Sequence, residues 1–203
     1  MTQRYPIPAK TTRTEIIIKR SRFIATISFA DTVEVARAFI QTIRDEMPDA
    51  THHVYAFRVG YGSSVNEGLS DDGEPAGTSG KPTMAVLRGA DLGDAVLVIT
   101  RYFGGTKLGT GGLVRAYSSA AKEALEHLSV IEKVERLPVT LEVAYSNYEL
   151  VKRLLPDYQT RILHEDFADH ITFTLSVPED LFDTFSVSIR ELSLHNTAPV
   201  VSE

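Results

Sequence analysis

The sequence predicts an α/β (α+β) protein of two domains, and three observations carry this prediction. Short segments with the composition or alternation of strands are separated by segments whose apolar residues recur at helical spacing. Periodicity and charge both change between Ser129 and Pro138, where we place the boundary between a domain of residues 1–133 and one of residues 138–203. Beyond this boundary the predicted elements follow the order βαββαβ.

Composition sets the class of protein. Of the 203 residues, 43% are hydrophobic and 24% are charged, which is typical of a globular chain. The absence of cysteine excludes disulfides, thiolate nucleophiles and cysteine metal sites, and is typical of a reducing compartment. The N-terminus has no apolar region of a signal peptide, and no apolar run approaches the roughly 20 residues that span a bilayer. We therefore expect a cytoplasmic protein without a membrane partner.

The first part of the first domain contains three predicted strands and one helix. Residues 14–19 and 22–29 are rich in β-branched and aromatic residues, which predicts two adjoining strands. Asp31 is the predicted N-cap of the helix. The apolar residues of this helix recur at helical spacing and are Val35, Phe39, Ile43 and Met47. Alternation over residues 53–59 predicts the third strand, and the glycine- and serine-rich residues 60–68 are expected to be a loop.

Two glycine-rich loops follow, and each leads into a helix. Residues 69–82 have no apolar periodicity and are predicted to form a loop before a short helix capped near Ser79. Residues 95–100 are continuously apolar, which predicts a central strand covered on both faces. The second loop, residues 101–112, opens a long helix. Its apolar stripe consists of Leu113, Ala116, Tyr117, Ala120, Ala124, Leu125 and Leu128.

The second domain begins with a new alternation at Val139. A helix that Pro156 ends is predicted after this strand, and two further strands follow. Pro178 is the predicted start of the last helix, and a final strand is expected to end near Val201. The resulting βαββαβ order is that of ferredoxin-like domains, which carry many unrelated functions.

Charge is divided unevenly between the domains. Before Pro138 the chain has 17 Lys and Arg against 16 Asp and Glu, and from Pro138 onward 4 against 11, so the formal charges are +1 and −7. Because nucleic-acid affinity depends on cations that displace condensed counterions, the second domain is a poor candidate for RNA binding. The basic residues near the N-terminus are Arg4, Lys10, Arg13, Lys19, Arg20 and Arg22. A solvated edge of the sheet is the simplest interpretation of this cluster.

The two glycine-rich loops form the candidate binding site. Consecutive glycines let the backbone turn several N–H groups toward one anion at the start of a helix, and the glycines in question are Gly109, Gly111 and Gly112. The basic side chains that can supply a countercharge are Lys81, Arg101, Lys107 and Arg115. The carboxylates that can hold a hydrated cation or a partner's arginine are Asp71, Asp72 and Glu74. The alternative is that the glycines merely permit tight turns.

We expect residues 71–81 and 101–112 to converge on one surface patch. The second loop follows the predicted central strand, and the C-terminal ends of strands are the usual ligand edge of an α/β sheet. In a shared patch the three carboxylates of the first loop would be compensated by Arg101, Lys107 or Arg115.

The sequence does not match three standard enzyme motifs when it is compared with them residue by residue. Pro75 and Pro82 occupy required positions of a Walker A motif, and Val114 stands where a dinucleotide fingerprint needs its third glycine. No nucleophile elbow of the form G-x-S-x-G occurs. We therefore predict no catalytic residue, no metal site and no cofactor.

Three residues are secondary candidates for the binding site, namely Arg22, His52 and His53. The two histidines are adjacent on a predicted strand, so their side chains point to opposite faces and cannot ligate one metal ion without distortion.

Three segments, residues 20–25, 70–82 and 101–113, resemble the signature segments of the IMPACT/YigZ family. The second domain is similar to the smaller C-terminal domain of bacterial members. The resemblance implies the fold of the second domain of ribosomal protein S-five for the first domain, and that of the C-terminal region of elongation factor G for the second. The family's eukaryotic members regulate a kinase that controls translation initiation. This sequence lacks their N-terminal partner-binding domain, so the resemblance implies only the shared core.

Two functions from different classes follow from these observations. The sequence favours a non-enzymatic binding or regulatory protein linked to translation, whose glycine-rich loops bind RNA, the ribosome or a protein. The alternative is an enzyme that binds a phosphate ligand or nucleotide and uses Asp71, Asp72 or Glu74 with a metal ion. The weakness of the alternative is the absence of a nucleophile.

Overall fold

The computed structural model describes residues 4–192 and 199–201, and these form two compact units. The first unit comprises residues 5–133, and the second comprises Arg4 with the described residues from Val134 onward. The division between the units falls after Lys133, and Arg4 groups with the second unit. No helix in the described part of the chain is long and apolar enough to cross a membrane.

A five-stranded sheet forms the centre of the first unit. The strands of this unit are β1 (Tyr5–Pro8), β2 (Thr12–Ile18), β3 (Ser21–Phe29), β4 (His52–Tyr61), β5 (Ser64–Ser70), β6 (Ala95–Tyr102) and β7 (Val130–Lys133). The sheet has the order β2-β3-β6-β4-β5, and every neighbouring pair is antiparallel. The strands β1 and β7 form a separate antiparallel pair.

Helices cover both faces of this sheet. They are α1 (Val33–Glu46), α2 (Gly80–Arg88) and α3 (Thr110–Glu126). The helices α2 and α3 pack on one face around Phe23, Leu97 and Ile99, while α1 packs on the other around Val96 and Val98. The strand β6 is therefore central and buried on both faces, as its continuous apolar run predicts.

The first helix differs from its prediction in cap and in orientation. Its N-cap is Thr32 rather than Asp31, and the Thr32 hydroxyl accepts a hydrogen bond from the N–H of Val35 over 3.1 Å. The buried residues of α1 are Ala36, Ile40 and Ile43, whereas Val35 is 42% exposed. Two stripes with helical spacing compete here, and the small side chain of Ala36 lets the helix approach the sheet closely.

Two segments that the sequence pattern left irregular are strands. Residues 64–70 form β5, the hairpin partner of β4, instead of the predicted loop. The glycine in this strand has a packing reason, because a Cβ on Gly68 would lie 2.3 Å from Cζ of Phe57. Residues 130–133 form β7, although charge obscures any alternation there.

The second unit has the predicted βαββαβ order. Its elements are β8 (Arg136–Val143), α4 (Tyr148–Leu154), β9 (Arg161–Phe167), β10 (Ile171–Pro178), α5 (Phe182–Leu192) and β11 (Val200–Val201). The antiparallel sheet has the order β11-β8-β10-β9, the arrangement of ferredoxin-like domains. Its core forms between the sheet and the two helices around Phe173 and Phe185. The last helix begins at Phe182, after a turn of 3-10 helix, rather than at Pro178.

One edge of the five-stranded sheet collects the candidate loops. Because neighbouring strands are antiparallel, the C-terminal ends of β2, β5 and β6 lie at the same edge as the N-terminal ends of β3 and β4. The loop of residues 71–81, which we call the acidic loop, follows β5. The second loop, residues 101–112, comes at the end of β6, so both loops leave the sheet from this edge. The convergence was predicted from the rule that ligands bind at the C-terminal ends of parallel strands. That reason was wrong, because the neighbouring strands of this sheet are antiparallel.

Candidate functional site

The two loops meet at a buried ion pair between Glu74 and Arg101. The Nη1 atom of Arg101 donates a hydrogen bond to Oε1 of Glu74 over 2.5 Å, and the two side chains are 5% and 4% exposed. The hydroxyl of Tyr117, on α3, donates to the same oxygen over 2.8 Å. Burial, together with the Glu74 carboxylate, raises the pKa of Tyr117 far above its ordinary value, so this phenol stays a donor.

Arg101 also connects the loops to β3. Its Nη2 atom donates to Oγ of Ser21 over 3.3 Å, and the same Oγ accepts the N–H of Gly104 over 3.2 Å. The guanidinium carbon lies 5.4 Å from the ring centroid of Phe23 and 5.6 Å from that of Phe103. Arg101 therefore orients the start of the second loop from beneath rather than facing solvent.

The Asp71 side chain supplies the capping hydrogen bonds of α2, although Asp71 lies upstream of the helix. Its carboxylate accepts the N–H groups of Gly77 (2.8 Å), Ser79 (3.0 Å) and Gly80 (2.8 Å). Burial raises the pKa of Asp71, but these hydrogen bonds outweigh it and hold the pKa below its ordinary value. Ser79 is the N-cap residue, as predicted, yet its hydroxyl makes no capping hydrogen bond. The cap comes from a carboxylate eight residues upstream.

Asp72 is neutralised by a residue that the sequence did not single out. Its carboxylate accepts the N–H of His53 over 2.6 Å and forms an ion pair of 2.5 Å with Nη2 of Arg44, on α1. The compensation predicted for the acidic loop is therefore made by Arg101 and Arg44. Of the three alternatives predicted, Arg101 provides this compensation, whereas Lys107 and Arg115 contact no carboxylate in the described part of the chain.

The adjacent histidines occupy opposite faces of β4, as expected. His53 is buried, its Nδ1 lies 3.2 Å from Oγ1 of Thr100, and burial lowers its pKa. The Nε2 atom of His52 lies 3.9 Å from Oε2 of Glu74. Among residues 4–192 and 199–201, no group of three or more His, Asp or Glu side chains could hold a metal ion. The carboxylates of the acidic loop accept hydrogen bonds from donors of the same chain.

The outer surface of the site is formed by the second loop and the β2–β3 turn. Lys19 and Arg20 form this turn with φ values of 46° and 69°. A Cβ on Gly104 would lie 2.1 Å from the carbonyl carbon and oxygen of Arg20, so the loop packs directly on the turn. Phe103, the residue before this contact, is 47% exposed.

Four cations at this edge have no carboxylate partner among the described residues. In the described chain, no hydrogen bond or ion pair engages the side chains of Lys19, Arg20, Lys107 or Arg115. We call these four residues with Phe103 the basic loop surface. Arg22 is not part of it, because Glu15 binds its guanidinium over 3.0 Å.

The remaining predicted site residues are divided between the loop and a groove. A Cβ on Gly109 or Gly111 would meet no atom within 4 Å, so the start of α3 is open, whereas Gly112 packs on the Leu108 side chain. Lys81 lines a groove between α2 and α3.

Ser21, Arg44 and Tyr117 also belong to this site, although the sequence pattern did not predict them as site residues. Tyr117 did stand in the predicted apolar stripe of α3, where its single hydroxyl among alanines was the available signal. No local pattern marked Arg44.

Comparison with known proteins gives the family. Residues 19–125 match the Impact N-terminal domain, and residues 141–193 match a domain of unknown function, DUF1949. A Haemophilus influenzae protein described as an IMPACT family member is 41% identical over 93% of this chain and 92% of its own length. The chain belongs to the IMPACT family. The resemblance inferred from the three signature segments is thereby confirmed.

Other IMPACT family members align over a similar extent. The Escherichia coli member YigZ is 37% identical over 92% of this chain and 92% of its own. A solved structure described as that of a hypothetical protein covers 100% of this chain, with 35% identity and a TM-score of 0.71. The similarity to IMPACT family members therefore extends over 92–93% of the chain, and the similarity to this solved structure extends over all of it.

Proposed function

We propose that this IMPACT family member is a non-enzymatic binding protein of translation whose basic loop surface binds single-stranded RNA. The observation that supports the proposal is that the carboxylates at this edge of the sheet are paired within the chain, whereas four of its cations are not. The three carboxylates of the acidic loop accept internal donors, while cations of the second loop and the β2–β3 turn have no partner in the chain as described.

This difference makes the edge attractive to phosphate. Asp71, Asp72 and Glu74 accept hydrogen bonds from backbone N–H groups and from Arg44 and Arg101, so their charge is largely compensated by groups of the same chain. Lys107, Lys19 and Arg20 remain to release counterions from a phosphate backbone. A sequence with nearly balanced charge in its first domain thus presents a basic surface.

An exposed aromatic ring on this surface favours a single strand. Phe103 is 47% exposed, and its backbone N–H is held by the hydroxyl of Thr51 over 3.1 Å. Stacking of a base on such a ring contributes about 1–3 kcal/mol and needs no particular base. A duplex would hide its bases from this side chain.

The link to translation is inferred from the family. The resemblance stated above relates the two domains to ribosomal protein S-five and to elongation factor G, and both belong to translation. The charge of −7 from Pro138 onward makes that part a poor site for counterion release. We therefore assign RNA binding to the first unit.

The test is a titration of fluorescein-labelled oligouridylate with the full chain at several salt concentrations. We expect affinity to fall with salt, with a slope of about 0.7 in log–log form for each phosphate contact. Phe103→Ala should weaken binding at every salt concentration, and Lys107→Ala should also reduce the slope. Lys10→Ala, at the other end of β2, is the matched control. Binding of purified ribosomal proteins without any binding of the oligonucleotide would replace this proposal with a protein partner.

A further inference from the structure

A groove of about 970 Å³ separates α2 from α3 in the first unit. Most of its lining is apolar, with Val86, Leu92, Val114, Leu125, Leu128 and Val130. Val114 is 38% exposed and Val130 is 54% exposed, so these side chains are not covered by the described chain. The volume lies in the range of small-molecule sites, and uncovered apolar surface of this kind marks a binding site more often than chance exposure.

The two ends of the groove differ in charge. Both helices begin at the loop edge of the sheet and run toward the opposite edge. Lys81, in the first turn of α2, lines the groove at the loop edge, and Lys122 lines it farther along α3. The opposite end is apolar, and Glu126 is the charged residue that lines it there. An anionic group is therefore attracted to the Lys81 end and repelled from the other.

Lys81 is available for an external anion. Its side chain is exposed and makes no hydrogen bond or ion pair with any described residue. Asp71 acts on it only at longer range, and the Asp71 carboxylate is already occupied by three backbone N–H groups. A ligand carboxylate at this end would therefore complete a charge pair without displacing an existing one.

We propose that the groove binds a free fatty carboxylate, with the carboxylate at Lys81 and the acyl chain along α3 toward Leu128. From Val114 to Leu125 the helix rises about 16 Å, a length that suits a medium-length acyl chain. Each methylene that enters the groove leaves water, so affinity increases with chain length until the groove is filled. Lys81 is the cation at the loop end of the groove, and it fits a ligand with one charged head at that end. A docked peptide helix would instead present polar groups along its whole length.

The test is calorimetric titration of the full chain with octanoate, decanoate and dodecanoate, each below its micelle concentration. We expect saturable binding of one equivalent that strengthens along this series. Methyl decanoate, which lacks the charge, should bind about tenfold more weakly than decanoate. Failure of all three carboxylates to bind in a saturable manner would overturn the proposal.

Two pairs of variants separate the groove from nonspecific binding. Lys81→Gln should weaken decanoate binding about tenfold, whereas Lys107→Gln on the basic loop surface should leave it unchanged. Ala85→Phe places a ring in the groove from an exposed position of α2, and Ala38→Phe makes the same change on α1, outside the groove. Only the first should abolish binding, with unfolding temperatures measured for both. Binding that survives both Lys81→Gln and Ala85→Phe would show that the ligand lies elsewhere.

Discussion

Arg101 and Glu74 are 27 residues apart in the sequence and share a hydrogen bond of 2.5 Å under the loop edge of the sheet. Both side chains are at least 95% buried, so removal of the two charges from water opposes much of their attraction. The pair therefore contributes mainly a fixed geometry. It holds the acidic loop against the strand that leads into Phe103, the aromatic residue of the basic loop surface.

Loss of one partner of this pair should be costly. In Glu74→Gln the guanidinium of Arg101 stays buried without a countercharge, and we expect the free energy of unfolding to fall by about 3 kcal/mol or more. Urea denaturation measures this change. Tyr117→Phe, which removes only one hydrogen bond to Glu74, should cost about 1 kcal/mol. The apolar double variant Glu74→Leu with Arg101→Leu should be more stable than Glu74→Gln, and equal loss in both would contradict the buried-charge explanation.

Asp71 should make stability depend on acid pH. Its folded pKa lies below its ordinary value, so its contribution is complete above the unfolded pKa of about 3.9 and is lost as the pH falls through the folded pKa. Asp71→Asn should therefore be less stable than the parent at neutral pH, and the difference should shrink below about pH 4. Urea unfolding of both proteins across this range measures it. A difference that does not change with pH would show that Asp71 acts only as a hydrogen-bond acceptor.

Gly104 should be required for contact between the second loop and the β2–β3 turn. In Gly104→Ala the new methyl group would lie 2.1 Å from backbone atoms of Arg20, so turn and loop must separate. We expect a loss of about 1–3 kcal/mol in the free energy of unfolding and weaker oligouridylate binding. Gly111→Ala is the control, since its Cβ meets no atom within 4 Å and alanine is favoured over glycine in a helix by up to about 1 kcal/mol. Equal effects of both changes would refute the steric argument.

Asp94 should hold the terminal strands of the first unit. It is buried and accepts hydrogen bonds from the hydroxyl of Tyr5 (2.8 Å), Nζ of Lys133 (2.6 Å) and the N–H of Gly60 (2.7 Å). Asp94→Asn removes the countercharge of Lys133, and we expect a loss of about 2 kcal/mol with faster hydrogen exchange in β1 and β7. Asp45→Asn, at an exposed position of α1, should leave exchange in these strands unchanged. Exchange that accelerates first in the central sheet would contradict this assignment.

Oligouridylate binding should be a property of the first unit and not of the second. A fragment of residues 5–133 should retain most of the oligouridylate affinity of the full chain, and a fragment from residue 134 onward should have little, because its cations are few. Limited proteolysis between residues 129 and 138 supplies both fragments. An acidic fragment that bound the oligonucleotide as well as the full chain would disprove the assignment.

The elements with strong periodicity could be predicted from the sequence alone. The continuous apolar run of residues 95–100 indicated a central strand, and the stripe around Ala116 and Tyr117 indicated the buried face of α3. The βαββαβ order of the second unit followed from alternation and from proline positions in the same way. These features depend on neighbours within one element, so local pattern is sufficient.

Features that depend on contacts with other elements could not be predicted from local sequence patterns. Gly68 weakens the strand signal of β5, yet it is there because the ring of Phe57 occupies the space of a side chain. On α1 the pattern offered two apolar faces, and the sheet selected the one with Ala36.

The sequence by itself determined the family, the two-domain α/β organisation and the position of the two glycine-rich loops, because these follow from contiguous motifs and local periodicity. Only the tertiary structure decided which charges of those loops face solvent. Asp72 is paired with Arg44 and Glu74 with Arg101, which lie 28 and 27 residues away. An aperiodic loop has no pattern from which such orientations can be read, since they depend on donors that the fold brings from other elements.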